Sequence, residues 1–311
     1  MLAVVTGGAW AQAYPIKPTS IVVPYPPGGT SDILARLIGQ KITENWGQQV
    51  VVENRAGANG NIGAEFVSRA APDGYTHLLG DIGSLTISPS VYPKLPFDPA
   101  RDFAPVTMVA YSPHILCVHP SVPVKTVQEL VALAKARPGK LNFAAASLAG
   151  APHLAGIAFA LRSGVKWEYI PYKGGAQAIA ETVAGQADVL FNGMLATYPQ
   201  VKTGRLRILV VSSAKRVASI PDVPTVAESG YAGFETGSWQ GVLAPPATSK
   251  DIVGKLNGEI IRVLNIPEIK AKLAQQGADV LTMTPGEFAT FIRNEIAKWA
   301  KVVKDSGAKF E

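Results

Sequence analysis

Ile21-Val22-Val23-Pro24-Tyr25-Pro26-Pro27-Gly28-Gly29-Thr30-Ser31-Asp32 is the stretch whose reading decides the fold. Its first three residues are β-branched, as in a buried strand. After it, Leu34, Ile38, Ile42 and Trp46 recur every four residues, one face of a helix. A strand, a turn and a helix start are therefore expected. The prolines stiffen the approach and remove donors, and Gly28 and Gly29 permit positive φ and let main-chain N–H groups approach a ligand. Thr30, Ser31 or Asp32 is suited to cap a helix whose first N–H groups lack internal partners and carry partial positive charge. Such a turn is an anion seat, or a tight βα turn that binds nothing.

The 311 residues are 47% hydrophobic and 17% charged, enough to bury a sizeable core in one or two domains. Residues 1–13 read as the remnant of a secretory signal. Leu2 to Ala9 are small and apolar, Ala11-Gln12-Ala13 has the form of a signal-peptidase site, and the mature chain is expected to start at Tyr14. No later run approaches the ~20 apolar residues needed to span a bilayer. Cys117, the single cysteine, excludes an internal disulfide and a thiolate metal cluster, and suits a small buried hydrophobe. The net charge of +6 is dispersed, with no basic block of the kind a nucleic-acid groove uses.

Further along, Val50-Val51-Val52 reads as a second strand, followed by the glycine run from Gly57 to Gly63. The spacing there is G-x-x-G-x-x-G, which departs from the G-x-G-x-x-G of a dinucleotide site. The glycines are expected to let a helix with Ile62, Phe66 and Val67 inward pack close to the sheet. Tyr75 to Leu79 is a third strand, leading into Gly80-Asp81-Ile82-Gly83-Ser84. Ala104 to Val118 reads as extended segments broken at Ser112-Pro113. Thr126-Val127-Gln128-Glu129 opens a helix with a capping box. Strand, small-residue loop and helix then recur at Ser147-Leu148-Ala149-Gly150-Ala151-Pro152-His153 and at Lys173-Gly174-Gly175. A short helix is expected near Tyr198 to Thr203, an extended run at Trp239 to Leu243, and helices beyond Ser249, Pro267 and Thr284. Alternating strands and helices indicate an α/β fold with mainly parallel sheets.

Ligands of such sheets sit beyond the carboxyl ends of the strands. Four loops gather there, around Gly28-Gly29, Gly83-Ser84, Ser147-Ala151 and Gly174-Gly175, two from each expected lobe, and a shared cleft lined by main-chain donors is the economical arrangement. No P-loop, H-E-x-x-H or G-x-S-x-G pattern occurs, so no catalytic residue, metal site or cofactor is expected. His77 and His114 fall in strands and read as structural. His119 precedes a proline in a turn, and His153 at a helix start either touches a ligand or bonds to the backbone.

These segments, with Val51-Val52-Glu53-Asn54-Arg55-Ala56-Gly57, Ala71-Pro72-Asp73-Gly74-Tyr75-Thr76, Tyr92-Pro93-Lys94-Leu95-Pro96-Phe97-Asp98-Pro99, Pro171-Tyr172-Lys173-Gly174-Gly175 and Pro221-Asp222-Val223-Pro224-Thr225, resemble the Bug-type extracytoplasmic solute receptors of the tripartite tricarboxylate transporters. The resemblance covers essentially the whole mature chain. It implies a periplasmic binding protein fold of the second type, two α/β lobes joined by two crossover strands. Lobe 1 is then residues 14–112 and 239–311, and lobe 2 residues 113–238, with a hinge near Ser112 and Ser238. It also implies a monomeric periplasmic receptor, not an enzyme, that captures a small carboxylated solute (a dicarboxylate, amino acid or aromatic acid) for the membrane subunits of a transporter. A sensory protein serving a membrane kinase is the alternative. The family's binding loops map onto Pro27, Gly28, Gly29 and Thr30; onto Asp81, Ile82, Gly83 and Ser84; onto Ser147, Leu148, Ala149, Ala151 and His153; and onto Gly174, Gly175 and Ala176, with Asn192 at a later strand end. Asp81 departs from the family pattern. It either faces the cleft, favouring a solute with an amino, amide or neutral far end, or caps a turn away from it.

Overall fold

Ile21 and Val23 point into one apolar core and Val22 into the opposite one, the alternation of a strand covered on both faces. The same rule sorts Ile115 and Cys117 from Leu116 and Val118 further on. The structure, a computed structural model, describes residues 14–306; the expected signal remnant at 1–13 lies outside the described residues. The first elements are β1 Thr19–Val23, α1 Thr30–Trp46, β2 Val50–Asn54, α2 Asn61–Ser68, β3 Thr76–Asp81, α3 Ser88–Val91 and the long β4 Ala104–Val118. Then come α4 Val127–Ala136, β5 Asn142–Ala146, α5 Ala151–Ser163, β6 Glu168–Tyr172, α6 Gly175–Val183, β7 Val189–Gly193, α7 Met194–Lys202 and β8 Arg207–Val211. The chain closes with β9 Gly237–Ala244, α8 Lys250–Leu264, α9 Pro267–Gln275, β10 Asp279–Val280 and α10 Pro285–Ser306. Among the described residues no helix is long and apolar enough to cross a membrane.

The strands lie in the order β2-β1-β3-β9-β4-β7-β5-β6, with β8 and β10 also on β4. Pairs formed by the βαβ units are parallel, and every pair that includes β4 or β9 is antiparallel. The sheet is thus mixed, because β4 runs from one half into the other instead of returning over a helix. From Ala104 to Pro113 it pairs with β9; from His114 to Val118 it pairs with β7 and β8. The expected break at Ser112-Pro113 does not interrupt it, and Ser112 stands opposite Ser238 where it passes between halves.

Helices cover both faces of each half. Leu34, Ile38 and Ile42 of α1 are buried against Leu256 and Ile260 of α8, each burial contributing roughly 1.5–3 kcal/mol. Phe288 and Ile292 of α10 pack beside Trp239 on the other face. One inward face differs from expectation. In α2 only Val67 of the expected trio is buried, and Ile62 and Phe66 are 53% and 40% exposed. A Cβ on Gly63 would lie 2.9 Å from Pro24, so the stripe of small residues turns to the sheet and its close approach rotates Ile62 and Phe66 outward. The Arg55 guanidinium covers the Phe66 ring at 3.6 Å. In addition, α7 starts at Met194, earlier than Tyr198, with Pro199 inside it.

Candidate ligand-binding site

Four helix starts converge on one cavity where the two halves meet. Gly29, Thr30 and Ser31 come from α1, Gly150, Ala151 and Pro152 from α5, Gly175 from α6, and Gly193 from α7. Ile33 N–H reaches back to Gly29 O at 3.0 Å, Leu154 N–H to Gly150 O at 2.9 Å and Ala178 N–H to Gly174 O at 3.1 Å, so the N–H groups before them have no acceptor in their own helix. Tyr25, Asn59, Asp81, Asn192, Ser238 and Gln240 complete the polar wall. That wall carries no lysine or arginine, and Asp81 is its one carboxyl group. Helix ends, not cationic side chains, therefore supply the positive potential.

The approach to α1 is braced differently from expectation. Gly29 occupies the N-cap with no side-chain cap bond, in place of Thr30, Ser31 or Asp32. The Asp32 carboxylate instead accepts from Gly28 N–H at 2.9 Å, from Arg36 Nε and Nη2 at 2.9 Å each, and from Asn54 Nδ2 at 2.9 Å. Burial by itself raises the pKa of this carboxyl, but Arg36, the Gly28 N–H and Asn54 outweigh burial and hold it below its ordinary value. Gly28 sits at φ +87, a backbone that side-chain-bearing residues rarely adopt.

The halves touch around the cavity. A Cβ on Gly174 would lie 2.9 Å from Pro26 Cδ, one on Gly193 3.0 Å from Thr30 Oγ1, and one on Gly150 3.1 Å from Asn59 Oδ1. The halves are thus in contact beside the cavity, whose volume is about 60 Å³. Asn59 at φ 53 and Ser147 at φ 56 hold strained left-handed backbone on this wall, with Ala58 and Ala149 beside them.

A family model described as "Tripartite tricarboxylate transporter family receptor" matches residues 34–308. The chain belongs to this family. Protein BugT of Bordetella pertussis is 37% identical to it over 302 residues, covering 97% of this chain and 93% of BugT. The solved structure of Rpa4515 from R. palustris with adipate superposes with a TM-score of 0.92 at 36% identity, covering 94% of this chain and 98% of that one. That of the periplasmic binding protein BugD has a TM-score of 0.91 at 34% identity, covering 95% and 99%. The fold is the two-lobed α/β architecture of periplasmic binding proteins.

Of the residues expected from this receptor family's loops, Gly29, Thr30, Asp81, Gly83, Ser147, Ala151, Gly175 and Asn192 line the cavity. The others stand back from it, each for a physical reason. Pro27 and Gly28 are exposed, and Gly28 meets Ala176 at an adjoining groove, a Cβ on it lying 3.7 Å from Ala176 Cβ. Ile82 is buried in the core, Leu148 is exposed, and Gly174 lies beneath Pro26. Ser84 braces Asp81 through its N–H and hydroxyl, at 3.1 and 3.2 Å from Oδ1. His153 takes the backbone alternative, its Nδ1 accepting from Ala149 N–H at 3.0 Å, and so shapes the loop from behind. Asp81 itself faces the cavity, its Oδ1 also accepting from the Tyr25 hydroxyl at 2.8 Å, and burial raises its pKa.

Gly150 and Pro152 lie within the expected Ser147–His153 loop, while sequence reading did not name Tyr25, Pro26, Ser31, Asn59, Ala146, Gly193, Ser238 or Gln240 as wall residues. Some of these were within reach. Ser238 and Gln240 alternate with Trp239 in an otherwise apolar strand, the period-2 mark of a polar face. Asn59 lies in a glycine run read only as packing.

Proposed function

We propose that this chain is a periplasmic receptor that captures a small carboxylated solute in the cavity between its halves and delivers it, unaltered, to the membrane subunits of a tripartite tricarboxylate transporter. One observation carries the reading: four helix N-termini, drawn from both halves, meet on a cavity without a cationic side chain. Such a site takes one carboxylate by backbone donors and helix dipoles. The adipate held by the R. palustris relative is in keeping with a carboxylate guest. A family of transporter receptors favours delivery over the sensory alternative. The lobes are assigned as residues 14–112 with 239–311, and residues 113–238, hinged where Ser112 pairs with Ser238. The guest then closes contacts between lobes and excludes water, which strengthens each hydrogen bond.

A thermal-shift series over straight-chain mono- and dicarboxylates, amino acids and aromatic acids tests this. A bound acid at 100 times its dissociation constant adds about 2.7 kcal/mol to stability. Gly29→Val should abolish the shift while the chain stays folded, because its extended backbone (φ −82) accepts valine but the Cβ would point between Pro26 O and Ala176 N, at 3.8 and 3.9 Å. An unchanged shift in that variant places the guest elsewhere.

A further inference from the structure

The cavity wall has two chemically distinct ends. At one end Thr30, Gly175, Asn192 and Gly193 cluster: a Cβ on Gly193 would sit 3.0 Å from Thr30 Oγ1, and one on Gly175 2.8 Å from Asn192 Oδ1. This end holds the N-termini of α1, α6 and α7; that of α5 lies at the other end, a Cβ on its N-cap Gly150 falling 3.1 Å from Asn59 Oδ1. At the other end three acceptors gather. Asp81 stands directly opposite Gln240 in the β3–β9 register, which brings their side chains onto neighbouring positions of one face. Tyr25 links this pair to Asn59, its hydroxyl 2.8 Å from Asp81 Oδ1 and 3.1 Å from Asn59 O. Asn59 Nδ2 is committed to Ser88 Oγ at 3.3 Å, which leaves Oδ1 as the free amide atom.

Asn59 and Gln240 are 7% and 2% exposed, and Asn59 Oδ1 and Gln240 Oε1 are buried without a hydrogen-bond partner. Both residues line the cavity. Buried acceptors without a donor are costly, and two of them beside a carboxylate define a place for a group that only donates. An ammonium group is such a group: three N–H donors, no acceptor, and a charge opposite to that of Asp81. A second carboxylate there would face Asp81 and two amide oxygens with no donor of its own.

We propose that the solute is an amino acid in the broad sense, its carboxylate on the helix starts of α1, α6 and α7 and its ammonium group on Asp81, Asn59 Oδ1 and Gln240 Oε1. The assignment rests on the carboxylate-receptor reading and narrows it. The donors at one end and the acceptors at the other then complete each other only when both ends of the guest are present.

Calorimetry on the whole chain with two matched sets tests it: alanine, propionate and methylmalonate; and 4-aminobutyrate, butyrate and glutarate. Within each set the amino group is absent or replaced by a carboxylate. The amino member of at least one set should bind about tenfold or more tighter than its two mates. Asp81→Asn should remove most of that advantage, and Gln240→Leu should reduce it in the same direction. The wild-type comparison needs no variant. Tightest binding by any acid that lacks an amino group overturns the assignment and leaves the carboxylate receptor standing. Silence from every acid, in these sets and in the thermal-shift series, overturns both.

Discussion

His114 is buried with Nδ1 3.1 Å from Thr236 Oγ1 and Nε2 2.9 Å from Ser238 Oγ, beside the passage of β4 between the halves. Burial lowers its pKa to about 3, and those of His77 and His153 to about 4. All three are neutral in the folded chain at pH 7, and on unfolding each returns to about 6.5. Between these values the unfolded state binds more protons, so stability is fully present above pH 6.5 and falls as pH drops toward 4. Each histidine contributes up to about 1.4 kcal/mol per pH unit in that window. Urea unfolding at pH 7, 6 and 5 should show the decline, and His114→Asn should flatten it by close to one proton; an unchanged slope would show that this ring does not titrate on unfolding. Histidines in apolar strands read as structural from the sequence, and His77 and His114 lie in β3 and β4 as that reading requires. His153 was not decidable that way, since whether its ring meets a guest or the Ala149 N–H depends on how the Ser147–Ala149 loop bends.

At the scale of elements, local signals carried far. Thr126 accepts from Glu129 N–H at 3.2 Å while Glu129 Oε2 accepts from Thr126 N–H at 3.2 Å, the reciprocal cap that the four residues announce. Thr126→Ala should cost about 1 kcal/mol, measured by urea unfolding, and leave solute affinity unchanged because α4 lies away from the cavity wall. Helix α2 marks where the local signal ends. Its eight residues offer two apolar stripes, and neither spacing nor propensity says which one packs. The contact of Gly63 with Pro24, made by chain brought back from β1, decides it. For the same reason α1 is capped by Gly29 although three better capping residues follow: Asp32 is drawn to Gly28, Arg36 and Asn54, and Asn54 arrives from the end of β2.

For the whole molecule, closure is the property that matters, and glycines at the seam permit it. Gly174 has φ 175, extended backbone open to any residue, yet a side chain there would press on Pro26 across the cleft. Gly174→Val should hold the halves apart, raising the radius of gyration in small-angle scattering and weakening the bound acid by about tenfold or more, with folding intact. A compact variant with full affinity would mean that this contact does not govern closure. Residue patterning alone determined the strand-turn-helix units, their alternation, and the small-residue loops at the carboxyl ends of strands, because apolar periodicity, caps and turn chemistry act over a few neighbouring positions. Only the tertiary structure decided that Asp81 would stand opposite Gln240 and that Asn59 would reach the cavity. These residues meet through strand register and the return of the chain from the far half, and neither leaves a trace in local sequence.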